Sequence, residues 1–200
     1  MLALLAAAAA VASEPPRPEC EFDREAALAL EFVAFDQTEG SGWRPLHDAK
    51  CYIEAAELLR DWQVRHRGDF DLSNPRDRSI VEFLPWHEAQ MWANAGRNDQ
   101  ALPLFERTHK AGEGPLVAAW NFYVDGTIAF LRRDRPALEA ATAGLSAIPK
   151  PPTWDKAVGA DGKPISVPWP QNLDVLQALS RCWEQPYSVA YVCREIPKFR

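Results

Sequence analysis

Four histidines are the first residues to weigh for chemistry, because imidazole is the one side chain whose ordinary pKa lies near neutrality. His47 is followed by Asp48, a carboxylate that could orient it as in an Asp–His dyad. His87 is followed by Glu88, the opening of the zinc-protease pattern H-E-x-x-H. That pattern needs a second histidine one helical turn later, and Met91 stands in its place. Asp48 serves equally well as a first-turn acid of a helix, where the dipole favours negative charge. His66 and His109 stand in no ligand spacing. The chain has no G-x-S-x-G elbow, P-loop or G-x-G-x-x-G turn, so it implies no catalytic residue, metal or cofactor.

The cysteines form an even set, Cys20, Cys51, Cys182 and Cys193. No two have the C-x2–4-C spacing of a zinc site, which leaves disulfides as the expected use. Sequence proximity favours Cys20–Cys51 and Cys182–Cys193 among the three possible pairings, and the connectivity stays open. Disulfides imply an oxidising compartment. The first 12 residues, MLALLAAAAAVA, agree: they hold no charged or polar side chain and close on the small-x-small site Ala10-Val11-Ala12. That run is too short to cross a bilayer core of roughly 30 Å and reads as a secretory signal peptide. The expectation is an exported bacterial protein, periplasmic or secreted, with no transmembrane segment once the leader is removed.

The elements that must position these residues are helical. Within 200 residues the chain carries 28 acidic against 22 basic side chains, net −6, which argues against the basic footprint of a nucleic-acid binder. After a proline-rich lead-in at 13–21, apolar residues recur at helical spacing through Phe22, Ala26, Leu30, Val33 and Phe35. A second helix is predicted from Asp48 to His66 on the stripe Tyr52, Ala55, Ala56, Leu58, Leu59 and Trp62, and Ser73-Asn74-Pro75 starts a third. Two helix–turn–helix units follow, with turns at Asn94–Asp99 and Arg132–Arg135. They superpose at a spacing of 36 residues: Ala93 on Ala129, Arg97 on Arg133, Ala101 on Ala137 and Leu102 on Leu138. A two-helix unit repeating at such a period is the mark of an α-solenoid.

The first unit resembles a tetratricopeptide repeat (TPR). Ala89 takes the small-residue slot and Trp92 the aromatic three later; Ala101 and Phe105 reproduce A-x3-F, and Pro115 ends the unit. In the second unit Asp125 holds the small slot, Ile128 the aromatic one, Ala137 and Ala141 the later pair, and Pro149 the end. The resemblance covers Ser79 to Pro149 and extends to short exported bacterial proteins with TPR-like helices. It implies an all-α superhelix of hairpins over 22–149. A Pro/Gly/Trp loop follows at 150–171, with a short hairpin of Lys156–Val158 against Ile165–Val167. A helical cap at 172–200 completes the chain, its first helix capped by Asn172 and its second running from Tyr187 to Arg194.

Such a stack has a concave face for a protein or peptide partner. On the register above, Trp86, Gln90, Asn94, Phe122 and Phe130 share it. The expected function is therefore non-catalytic peptide binding or scaffolding in the bacterial envelope. A second reading makes the loop tryptophans, Trp154 and Trp169, stacking platforms for a cell-wall glycan. A third makes the chain a small hydrolase acting through His47 or His87. The arginine groups Arg60/Arg65/Arg67 and Arg132/Arg133/Arg135 fall near helix C-termini, where cations are favourable.

Overall fold

The computed structural model describes residues 20–152, 154–156 and 167–194. The expected leader at 1–12, residues 13–19 of the lead-in, most of the expected hairpin (157–166) and the last residues of the cap lie outside the described residues. Every regular element among those described is helical, so the fold class is all-α. In chain order these are α1 (Arg24–Leu28), a π-turn (Val33–Gln37), α2 (Arg44–Asp48), α3 (Tyr52–Arg65), α4 (Pro75–Asn94) and α5 (Asn98–Glu106). Then come α6 (Pro115–Leu131), α7 (Arg135–Ser146), a 3-10 turn (Trp154–Lys156), α8 (Leu173–Arg181) and α9 (Tyr187–Ala190).

From α3 to α8 each helix packs on its sequence neighbours, as in a stack of hairpins. The core runs along this stack through Leu58, Leu59, Leu84, Phe105, Val124, Leu138 and Leu145, all fully buried. Each such side chain contributes about 1.5–3 kcal/mol through the apolar area removed from water. The end of the chain departs from a simple stack. Helix α9 does not cap the far end; it returns to α4, and α8 packs on both α6 and α7. Gly126 of α6 lets α8 in, since a Cβ there would lie 2.6 Å from a Leu176 methyl.

The two hairpin turns share one geometry, and it corrects the repeat register. Gly96 and Arg133 both adopt positive φ, 73° and 58°. In each turn the next N–H bonds the carbonyl five residues back, Arg97 to Trp92 and Asp134 to Ala129. Equivalent positions are therefore 37 apart at the turns, not 36. Gly126 rather than Asp125 then matches Ala89, and Leu138 rather than Ala137 matches Ala101. The burial agrees, for Ala101 and Leu138 are fully buried and Ala137 is exposed.

The N-terminal helices are shorter than the periodicity implies. The stripe from Phe22 to Phe35 is broken after Leu28, because α3 takes its carbonyls: His66 Nε2 donates to Leu28 and Trp62 Nε1 to Leu30, both at 2.9 Å. The helix expected at 48–66 is split. Pro45 starts α2 early, Asp48 ends it rather than opening the next helix, Lys50 turns with φ 61°, and Cys51 is held by Cys20 before α3 begins. At the other end Asn172 does precede α8, yet its side chain caps nothing and its φ is 63°. The last helix stops at Ala190 instead of Arg194.

Candidate functional site

Each of the four histidines faces an aspartate. His47 and Asp48 meet at 3.1 Å on an exposed surface; His66 meets Asp69 at 2.7 Å and His109 meets Asp125 at 2.8 Å. The fourth pair was not legible: His87 of α4 bonds Asp36 of the π-turn at 2.7 Å, and Asp36 is fully buried. The same carboxylate accepts from Trp43 Nε1 at 2.9 Å and from the Gln37 amide, while the Arg44 guanidinium binds the Asp36 carbonyl. Burial alone would raise the Asp36 pKa. The His87 bond and charge, with the bonds from Trp43 and Gln37, outweigh it and hold the group below the ordinary carboxylate value. An ionised carboxylate only accepts, so the proton between the two sits on Nδ1. The ring is wedged between Phe83 and Trp43, at 4.6 and 5.2 Å, which makes this pair a fastening between the π-turn and α4.

The expected concave face is closed by the protein itself. Trp86 is only 3% exposed and packs against Phe105, Trp120 and Tyr123 at 4.6–4.9 Å. Gln90 is buried against the Tyr187 hydroxyl of α9. Phe130 lies under Trp183 at 5.5 Å and Tyr187 at 6.2 Å, with the Arg133 guanidinium 5.2 Å away and bonded to the Trp183 carbonyl. Phe122 fits against Gly144 of α7, and Asn94 simply ends α4. The five residues therefore do not form one open surface. Trp86 is covered by α5 and α6 and Phe122 by α7, while the returning C-terminal segment covers Gln90 and Phe130, a contact the periodicity does not encode.

The open surface lies on the other side of α4. A groove of about 730 Å3 runs between α3, the segment after it, α4 and α5. Its lining includes Val64, Phe70, Leu72, Val81, Leu84 and Leu104. Val64 and Leu72 are 64% and 60% exposed, unusual for aliphatic side chains that share a cavity. Helix α4 can line both this groove and the core because apolar residues stand on all its sides. Pro85, on the groove, has no N–H to offer the Val81 carbonyl one turn earlier. Three arginines flank the apolar walls: Arg60, Arg67 and Arg107. Arg60 bonds Asp61; Arg67 and Arg107 form no ion pair within 4 Å among the described residues, although Arg107 lies near the Glu88 carboxylate. At the floor Glu88 accepts from Gln63 at 2.9 Å and from Trp92 at 3.4 Å, and burial pushes its carboxyl above the ordinary value despite those bonds and the nearby Arg60 and Arg107.

No protein-family model, curated protein or solved structure matches the chain. A functional reading therefore stands on the geometry of these sites. The disulfides are Cys20–Cys51 and Cys182–Cys193, which fits an oxidising compartment. The one cluster of metal-ligating atoms among the described residues is Cys20, Cys51 and Glu54, and its two sulfurs are bonded to each other. No helix among the described residues is long and apolar enough to cross a membrane. The loop tryptophans are brought together, Trp154 and Trp169 meeting edge-on at 4.8 Å. The arginine groups divide: Arg65 pairs with Glu25, Arg132 with Glu106 and Arg135 with Glu139, Arg133 bonds the Trp183 carbonyl, and Arg60 and Arg67 lie on the groove.

Proposed function

We propose that the chain is an exported, TPR-like binding module whose ligand surface is the α3–α4–α5 groove, and that its partner is an acidic amphipathic peptide segment of an envelope protein. The observation that carries this reading is the pairing of exposed apolar walls with Arg67 and Arg107, which form no ion pair among the described residues, in a chain of net −6. An amphipathic helix would set its apolar face on Val64, Leu72 and Val81 and its acidic flanks beside Arg67 and Arg107. The groove lies within the roughly 300–1,000 Å3 range of ligand-binding clefts. The apolar leader and the two disulfides support export to the periplasm or beyond. The groove is preferred to the expected concave face because Trp86, Gln90 and Phe130 of that face are buried within the protein.

Fluorescence anisotropy with a labelled amphipathic helix, leucines on one face and glutamates flanking them, tests the proposal. The acidic peptide should bind more tightly than its lysine counterpart, weaken with salt, and lose affinity on Arg67→Glu, Arg107→Glu or Leu72→Glu. Equal binding of the two peptides, or unchanged binding by all three variants, would overturn it.

A further inference from the structure

A second cavity, about 260 Å3, is walled by Trp120, Trp154 and Trp169 and edged by Lys110, Gln171 and Asn172. It lies away from the peptide groove and shares no residue with it. Its three indoles are fixed in place. Trp120 Nε1 donates to the Thr108 carbonyl at 2.7 Å, Trp154 Nε1 to Val167 at 2.7 Å, and Trp169 Nε1 to Ile148 at 3.0 Å. With each N–H so committed, the rings offer a ligand carbon surface and no donor.

The polar groups at the edge are free to supply what the indoles cannot. The Asn172 side chain makes no cap bond to α8, although it stands at the cap position, and it turns to the cavity with φ 63°. Gln171 beside it is exposed and has no side-chain bond among the described residues. Lys110 is placed from behind: Asn121 of α6 accepts from its N–H at 2.8 Å and donates to its carbonyl at 3.0 Å. The ammonium then lies 5.1 Å from the centre of the Trp120 ring, with no carboxylate partner among the described residues.

We infer that this cavity binds a single acidic pyranose at the end of a glycan. The apolar C–H face of a sugar ring carries the slight positive charge that an aromatic face attracts. Two amides, each both donor and acceptor, suit vicinal hydroxyls, and one ammonium suits one carboxylate. A purely aliphatic ligand would leave the amides and the lysine unused. A phosphate-rich ligand would find one cation only. The volume, below the roughly 300 Å3 at which typical ligand pockets begin, admits one ring rather than a chain.

Intrinsic tryptophan fluorescence of the whole chain, titrated with D-glucuronate, glucose and acetate, is the test. Glucuronate should give saturable quenching with a dissociation constant of about 1–10 mM, some tenfold tighter than glucose, while acetate gives none. Lys110→Ala should erase the advantage over glucose, Gln171→Ala should weaken both sugars, and Trp169→Phe should weaken both further. Lys110 and Gln171 are exposed, so their variants remain informative if Trp169→Phe does not fold. No saturation by glucuronate up to about 100 mM, equal binding of the two sugars, or indifference to both exposed variants would overturn the assignment.

Discussion

Asp36 and His87 lie 51 residues apart in the chain and meet at 2.7 Å. Their bond ties the first packed segment to the central helix α4. The backbone is fitted closely around it: Gly42 has φ 59°, and a Cβ there would fall 1.8 Å from the Phe35 carbonyl oxygen. Only glycine can occupy that turn, which in turn brings Trp43 and Arg44 to Asp36.

Removing the charge of Asp36 should loosen this fastening. Asp36→Asn keeps the shape but loses charge-assisted bonds, so stability in urea at neutral pH should drop by roughly 1.5–3 kcal/mol. The pH dependence has a definite sign. A carboxyl whose folded-state pKa is lowered adds stability above its unfolded value, and that stability is lost as the pH falls through the folded value. The native protein should thus weaken in acid below about pH 4, and Asp36→Asn should weaken less steeply there. Parallel acid limbs would show that the carboxylate is not the group responsible.

Glu88 should behave in the opposite way. Its folded-state pKa is raised by burial, so its cost to stability is absent below the ordinary carboxylate pKa and grows as the pH rises toward the folded value. Glu88→Gln can still accept from Gln63 and carries no buried charge. It should melt above the native protein at pH 7, with the gap closing near pH 4. A variant that melts lower at both pH values would mean that the carboxylate bonds outweigh the burial cost.

Two glycines separate tight packing from loose. A methyl at Gly126 meets Leu176, which is fully buried and cannot withdraw; a methyl at Gly144 meets the ring of Phe122, which is half-buried and can turn away. Gly126→Ala should cost about 1–3 kcal/mol in chemical denaturation. Gly144→Ala should cost less, because the half-buried Phe122 ring can move aside, while the roughly 1 kcal/mol by which alanine favours a helix applies at both sites. The reverse order would place the tighter contact at α7.

The two disulfides close loops of different length, with sequence separations of 31 and 11. On chain-entropy grounds Cys20–Cys51 should contribute about 4 kcal/mol and Cys182–Cys193 about 3 kcal/mol. Paired Cys→Ser variants compared by thermal unfolding would check this. A larger loss at the C-terminal bridge would indicate that it acts on the docking of α8 and α9 rather than on the unfolded chain.

Much of the helix placement was legible because helix start and stop chemistry is local. Pro75 opens α4 and Pro115 opens α6, and Gly96 marks the first hairpin turn. The second turn misled by one residue because Arg133, not a glycine, adopts the positive φ. The sites were harder. Trp86 and Phe130 stand at surface-compatible spacings, yet aromatic side chains of α5 and α6 bury the first, Trp183 and Tyr187 of the C-terminal segment bury the second, and no periodicity within α4 or α6 announces either. The groove left one trace: α4 is apolar on every side, a sign that it touches more than one layer. Proximity favoured the disulfide partners that form, though it left the pairing open.

The contact of α9 with α4 also sets the order in which the molecule can be completed. Helices α3 to α7 satisfy one another locally and can gather as the chain emerges. Until Trp183 and Tyr187 arrive, Phe130 of that partial stack lacks its aromatic cover, the kind of exposed apolar surface that makes an incomplete fold prone to misassembly. Loss of the final residues through Ala190 by a nonsense mutation or proteolytic nick would therefore not trim an appendage; it would leave the middle of the protein permanently unfinished.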